Sequence, residues 1–290
     1  MTDTLLVKLD LESADPELPL ISVDPATIDG ARLFAFDFGL AETFDGGVLP
    51  ADGATLTNGT EFNNLVPIAT GGGAVGSLSG STTYELSGSA GSLALSSAAV
   101  FVKGASGAAF DPAGMHSLLY SVWLEKTDVS PENAFAFGRA GQFEAFSTGT
   151  AIDDDHPWGI WLNNAERAAL IPAVGTLAGE DVMPVGEIRM VSIAVERFAG
   201  QNGARVRAWT NAELRGEDAL SGLASASLFA IAVQTGGNTG FSFGGGHPGF
   251  NLAPIRLYRE ALWDLALIPE ADPAAMVAAQ WAAHHARFGI

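Results

Sequence analysis

Between Arg32 and Tyr258 the sequence breaks into short runs of β-forming residues closed by Gly, Pro, Asn or Asp, with no long amphipathic helix between them. The runs fall at residues 100–102, 117–124, 134–137, 143–146, 158–162, 188–195, 205–210, 228–234 and 255–258. A parallel sheet needs a crossover of a dozen or more residues between strands, usually a helix, so this punctuation points to antiparallel pairing. Phe34, Phe36 and Phe38 alternate with Leu33, Ala35 and Asp37, which predicts a strand with one strongly aromatic face. Residues 71–97 are almost entirely Gly, Ser, Ala, Leu and Thr, and Gly76-Ser77-Leu78-Ser79-Gly80 is loosely echoed by Gly91-Ser92-Leu93-Ala94-Leu95. Small residues at that spacing, with Thr82 and Thr83, suit short strands and tight turns.

Composition limits what such a chain can do. Charged residues make up 16% of 290, hydrophobic residues 48%, and Gly fills 35 positions. About 25% charge is usual, so the chain has either a large core or an apolar surface covered by copies of itself or by partners. The formal charge of −19 leaves no basic surplus for nucleic acid. The absence of cysteine excludes disulfides, thiolate metal sites and cysteine nucleophiles. Met1 to Lys8 show no basic region followed by an apolar stretch, so no secretory signal is expected, and synthesis and folding in the cytoplasm are. No apolar window approaches membrane-spanning length, because Asp264 interrupts the best candidate, so no membrane insertion is expected.

Three parts are expected along the chain. Residues 1–30 read as an extended arm: Leu5, Val7 and Leu9 alternate as in a short strand, followed by a stretch dense in prolines and acids. Residues 31–268 form the β domain. Residues 269–290 hold a helix, with Asp272 as N-cap, Pro273 in the first turn and Gly289 as the stop. Val277, Trp281 and Phe288 lie on one face, suited to docking on the β domain or on a neighbouring subunit.

The order of segments carries a resemblance. Tyr120-Ser121-Val122-Trp123-Leu124-Glu125-Lys126 is similar to the central strand of concanavalin A-like, laminin-G-type jelly rolls, and Arg189-Met190-Val191-Ser192-Ile193-Ala194-Val195 resembles the next landmark strand. The segment from Arg205 to Gly216, with Asn211-Ala212 at its turn, resembles that fold's hairpin. The segment from Phe250 to Arg259, followed by Ala261-Leu262, resembles its closing strand. The resemblance spans roughly residues 35–268 and implies an all-β fold. That fold would be an antiparallel jelly-roll β-sandwich with an N-terminal extended arm and a C-terminal α-helix.

Motifs with chemical content are few. A glycoside hydrolase of this fold would need paired carboxylates at alternating strand positions, and no Glu-x-Asp-x-Glu or Glu-x-Asp-x-x-Glu array occurs. Gly240-Phe241-Ser242-Phe243-Gly244 matches a nucleophile-elbow string, with His247 close behind, but Gly245, Gly246 and Pro248 forbid the helix such an elbow requires. A glycine-rich hairpin or loop is expected there. Gly71-x-Gly73-x-x-Gly76 lacks the βαβ setting of a dinucleotide site. Asp153-Asp154-Asp155 could offer oxygens to calcium, against the plainer reading of a solvated acidic loop. Trp158 and Trp161, on opposite faces of one strand beside Asp155 and His156, are the candidate carbohydrate contacts: a flat ring for stacking and polar groups for hydroxyls. His284 and His285 diverge around the helix and suit its C-terminal dipole better than a metal. Arg205 and Arg207 share a face with Trp209 that could meet an anion, although a solvated strand is the plainer reading.

The resemblance, with these features, implies a non-enzymatic structural and binding protein on a bacteriophage virion surface, such as a capsid decoration, a fibre or a tail appendage that contacts host-envelope glycan. Its expected partners are itself, as a homo-oligomer such as a trimer through Leu5, Val7, Leu9, Val277, Trp281 and Phe288, and other virion proteins through the arm. Calcium is the one candidate cofactor, at Asp153, Asp154 and Asp155. The alternatives are a bacterial carbohydrate-active enzyme or lectin of the cell envelope, and a virion cement protein with no glycan ligand.

Overall fold

The computed structural model describes residues 32–57, 59–66, 73–77, 82–88, 90–95, 98–102, 117–128, 134–139, 159–162, 168–171, 184–197, 203–221, 241–244 and 255–290. In chain order these form β1 (Arg32–Asp37), β2 (Thr55–Leu56), β3 (Glu61–Phe62), β4 (Gly73–Ser77), β5 (Thr82–Ser87), β6 (Ala90–Leu95), β7 (Ala98–Val102) and β8 (Leu118–Lys126). There follow β9 (Ala134–Arg139), β10 (Gly159–Leu162), β11 (Ala168–Ile171), β12 (Ile188–Arg197), β13 (Gly203–Thr210), β14 (Glu213–Ser221), β15 (Phe241–Gly244), β16 (Ile255–Asp264) and one helix, α1 (Pro273–His284).

The strands make two sheets. The nine-stranded sheet runs β14-β13-β12-β8-β16-β6-β5-β2, with β1 also on β16, and the seven-stranded sheet runs β11-β10-β9-β15-β7-β4-β3. One edge of β16 pairs with β8, while the other pairs with β6 along its first residues and with β1 from Arg259 onward. Every strand pairing in the two sheets is antiparallel, as the short turn-bounded runs require.

The centre of the larger sheet is covered on both faces, because Leu118 to Leu124 of β8 are all buried. On one face Trp123 stacks on Trp281 of α1 with ring centroids 5.4 Å apart and on Phe288 at 4.8 Å. Leu119, Met190, Ala194, Trp209 and Trp263 join the same cluster, with Val277 fully buried beneath the helix. Val277, Trp281 and Phe288 therefore meet the chain's own sheet. On the other face lie Phe34, Phe36, Tyr120, Val122, Ile193 and Leu262, all buried. Phe34 and Phe36 stack at 5.5 Å, so the aromatic alternation of β1 makes an internal face. An aromatic cluster then ties the two sheets at one end. Phe62 of β3 meets Phe38 at 5.2 Å and Phe44 at 5.7 Å, and Phe44 meets Tyr84 of β5 at 5.4 Å.

Local signals explain the ends of elements. The Asp272 side chain accepts from the Ala274 N–H, Pro273 opens α1, and Gly289 closes the segment with φ of 73°. The helix is shorter than its composition suggests, since after His284 it tightens into a 3-10 turn, His285–Phe288. Asn211 and Ala212 form the β13–β14 turn with φ of 51° and 63°, and the Asn211 Oδ1 accepts from the Met190 N–H at 2.9 Å. Two positive φ values are what a two-residue hairpin turn of type I′ requires. The glycine-rich stretch expected to be a hairpin or loop at residues 240–244 instead holds β15, whose Ser242 pairs with Phe101 on one side and Gly138 on the other. The closing strand runs on to Asp264. The expected arm at residues 1–30 and the runs at residues 143–146 and 228–234 lie outside the described residues.

Candidate functional site

The sequence candidates separate sharply. Trp158, Asp153, Asp154, Asp155, His156, Leu5, Val7 and Leu9 lie outside the described residues. The backbone of Trp161 sits in β10, paired with Phe135 and Ala169 inside the seven-stranded sheet. Arg205 and Arg207 both donate to Glu196, and Arg207, 8% exposed, also donates to Asp272 at 3.5 Å and lies 5.2 Å from the Trp209 ring, so both guanidinium groups already have carboxylate partners. His285 Nδ1 meets the Trp281 carbonyl at 2.8 Å within the last turn of the helix. Among the described residues no group of three or more His, Cys, Asp or Glu side chains is placed to hold a metal ion.

A different site stands beside the aromatic cluster. After β1 the chain turns at Phe38 and Gly39 and makes two 3-10 turns, Ala41–Thr43 and Asp45–Gly47. Thr43 fixes the first turn by donating to the Asp37 carbonyl at 2.6 Å. Asn63, just after β3, donates from Nδ2 to the carbonyls of Glu42 and Phe44, each at 3.1 Å, while its backbone N–H donates to Thr43 at 2.8 Å. Phe44 pairs antiparallel with Phe62, so Asp45 and Glu61 come to the same side of that bridge.

These turns border a cavity of about 560 Å³ that is open to solvent on one side. Asp45, Glu61, Asn63 and Thr60 supply its polar lining, and Phe44, Val48, Pro50 and Leu56 its apolar walls. Gly59, with φ of 91°, shapes the rim beside Thr60, and Gly46, with φ of 74°, lets the chain reverse after Asp45. Val48 is 69% exposed, an apolar surface facing open space beside the carboxylates. The volume falls within the usual range for small-molecule sites, and an apolar wall beside a few polar groups is their usual lining. Among the described residues no Lys or Arg lines it. Such a site can offer carboxylate and hydroxyl oxygens to a ligand's O–H or N–H groups and an apolar wall to its C–H surface.

The scaffold under the site is held by a buried ion cluster. Asp37 is fully buried at the end of β1, with Oδ2 accepting from Arg259 at 2.8 Å and Oδ1 from Arg287 at 2.7 Å. Burial pushes its carboxyl up, but the two guanidinium groups outweigh this and hold it below the ordinary carboxylate value. Arg287 follows α1, so the same carboxylate fastens the C-terminal segment to the strand that feeds the cavity.

Sequence reasoning missed this site. Three turn dipeptides, Asp45-Gly46, Asp52-Gly53 and Asn58-Gly59, mark a cluster of loops between β1 and β3. Nothing in them announces which side chains the Phe44–Phe62 bridge brings together.

No family model matches the chain, and no curated protein matches its sequence. Solved structures do match. A Trypanosoma rangeli sialidase is 7% identical, with 87% of this chain and 32% of that one covered and a TM-score of 0.47. An arabinofuranosidase complexed with arabinofuranosyl-alpha-1,2-xylobiose is 12% identical, with 88% and 64% covered and a TM-score of 0.46. A mutant of HCR/D is 9% identical, with 88% and 53% covered and a TM-score of 0.45. The chain spans about a third of the length of the sialidase chains it matches. The expectation that the chain is not an enzyme is corrected here: the solved structures it matches include a sialidase and an arabinofuranosidase, which are enzymes.

Proposed function

We propose that this chain is a glycan-related module that takes an uncharged saccharide in the cavity between the β1, β2 and β3 loops. The observation that carries the reading is the lining itself. Asp45, Glu61, Thr60 and Asn63 stand beside Val48 and Pro50 in about 560 Å³. Saccharides present hydroxyls and C–H patches side by side, and a site that recognises them needs oxygen acceptors next to an apolar surface. Two carboxylates with no lining Lys or Arg among the described residues favour hydroxyl donors and oppose anionic sugars.

The finer reading of the fold is a concanavalin A-like jelly-roll sandwich, with the two sheets as its layers and the cavity at one end. The finer reading of the setting is a homo-oligomer displayed on a bacteriophage virion. It rests on the charge-poor composition and on the sequence resemblance, and none of the solved structures named above bears on it.

A glycan array probed with the full chain tests the proposal. Neutral saccharides should bind, and the double substitution Asp45→Asn with Glu61→Gln should reduce that signal by about tenfold or more, because each lost charge-assisted hydrogen bond is worth about 1.5–3 kcal/mol. An array that lights only for sialylated or sulfated glycans would overturn it, as would binding that the double variant leaves unchanged.

A further inference from the structure

Glu260 lies in mid-strand in β16, fully buried, on the face opposite α1. Its strand partners are Phe36 of β1 and Val122 of β8, and one step along stand Phe34, Leu262 and Tyr120. All five are fully buried. Glu260 Oε2 accepts from the Tyr120 hydroxyl at 2.7 Å, and its other oxygen, Oε1, is buried with no hydrogen-bond partner. A carboxylate buried among phenylalanines with one oxygen unmatched is costly, whereas a carboxylic acid leaves only a neutral O–H unmatched.

Among the described residues no cation is placed to compensate. Asp37 and Arg259, next in sequence to Phe36 and Glu260, bond to each other on the opposite face, where Asp37 also accepts from Arg287. From β12, Val191 and Ile193 lie across β8 from Glu260 and are apolar. On Glu260's own face the charged residues of β8 and β16 are Lys126 and Asp264, each four residues along its strand, with Cα positions roughly 13 Å away. Tyr120 is the one titratable group beside it among the described residues.

We propose that Glu260 is carried as the neutral acid at neutral pH and that, with Tyr120, it forms a protonation-controlled latch at the centre of the nine-stranded sheet. Protonated, it lets β1, β16 and β8 close over a dry face. Ionised, it draws water to that face and loosens the three strands. Burial pushes the Glu260 carboxyl up to about 8, against the opposing pull of the Tyr120 hydrogen bond. The closed form therefore binds one more proton than the opened form between the ordinary glutamate value, near 4.5, and about 8. In that window the opened population rises by up to about tenfold per pH unit, and the dependence ends on either side of it.

Amide hydrogen exchange of the full chain from pH 5 to 9, corrected for intrinsic rates, reads this directly. Amides of β1 and β16 should open progressively more up to about pH 8 in the wild type and show no such slope in Glu260→Gln. If the variant does not fold, a carbon-13 titration of the wild-type glutamate carboxyls decides. One carboxyl with a midpoint near 8 supports the latch. All glutamates titrating near 4.5, or a Glu260→Gln slope equal to that of the wild type, would overturn it.

Discussion

Asp37→Asn is the sharpest test of how the scaffold is held. Asparagine keeps the size of the side chain and one oxygen, which can still accept from Gly39 N–H, now 3.1 Å from Oδ1, but it removes the charge between Arg259 and Arg287. The Arg259 side chain is 4% exposed and would lose its charged contact with Asp37 in a buried setting, whereas Arg287, 21% exposed, can turn toward water. Removing one partner of a buried ion pair costs about 3–5 kcal/mol, and the freedom of Arg287 favours the lower half, about 3–4 kcal/mol. For a chain of this length that lowers the thermal midpoint by about 5–7 °C. Urea unfolding followed by tryptophan fluorescence measures the loss, because Trp123 and Trp281 stack where the C-terminal segment meets the sheet. Arg287→Met, which leaves Asp37 paired with Arg259, should cost about 1–2 kcal/mol. Because Asp37 is held below the ordinary carboxylate value, its contribution is fully present above about pH 4 and is lost as pH falls through its lowered value, and Asp37→Asn should lack that acid-side loss. A cost below about 1 kcal/mol for Asp37→Asn, or an equal cost for Arg287→Met, would refute this account of the ion cluster.

Three further outcomes follow from local geometry. A Cβ at Gly91 would meet the Phe38 carbonyl and the Tyr84 hydroxyl, which now bond to each other at 3.1 Å, so Gly91→Ala should destabilise by about 2–4 kcal/mol in chemical denaturation. Ala212 holds a φ of 63° in the β13–β14 turn, so Ala212→Gly should raise stability by about 0.5 kcal/mol in the same assay. Asp272→Ala removes the cap of α1 and should cost about 1 kcal/mol, with faster amide exchange confined to the first turn of the helix.

What could be read from the sequence was whatever depends on neighbours along the chain. The alternation of Phe34, Phe36 and Phe38, the Asp272-Pro273 start and the Gly289 stop each act within a few residues and appear in the structure as the sequence implies. Asn211-Ala212 shows the same principle under strain, since the hairpin imposes positive φ on an alanine. Distant partners decide the rest. Nothing beside them in the sequence tells that Arg259 is neutralised by Asp37, 222 residues away, or that Glu260 is buried beside Tyr120. Phe241-Ser242-Phe243-Gly244 suits a hairpin or a loop equally until β7 and β9 pair with it. The cavity was hidden for the same reason. Asp45 and Glu61 are ordinary turn and edge acids until the Phe44–Phe62 bridge sets them side by side.

Calorimetric titration of a neutral oligosaccharide into the wild type and into Val48→Lys shows whether the cavity beside that bridge receives the proposed saccharide. Val48 is 69% exposed, so a longer side chain can be carried there without disturbing the core, and lysine replaces the apolar wall with an ammonium beside Asp45 and Glu61. Measurable binding to the wild type is expected, with an affinity at least about tenfold weaker in Val48→Lys and thermal stability unchanged. No binding to the wild type, or equal affinity in the two proteins, would contradict the proposal.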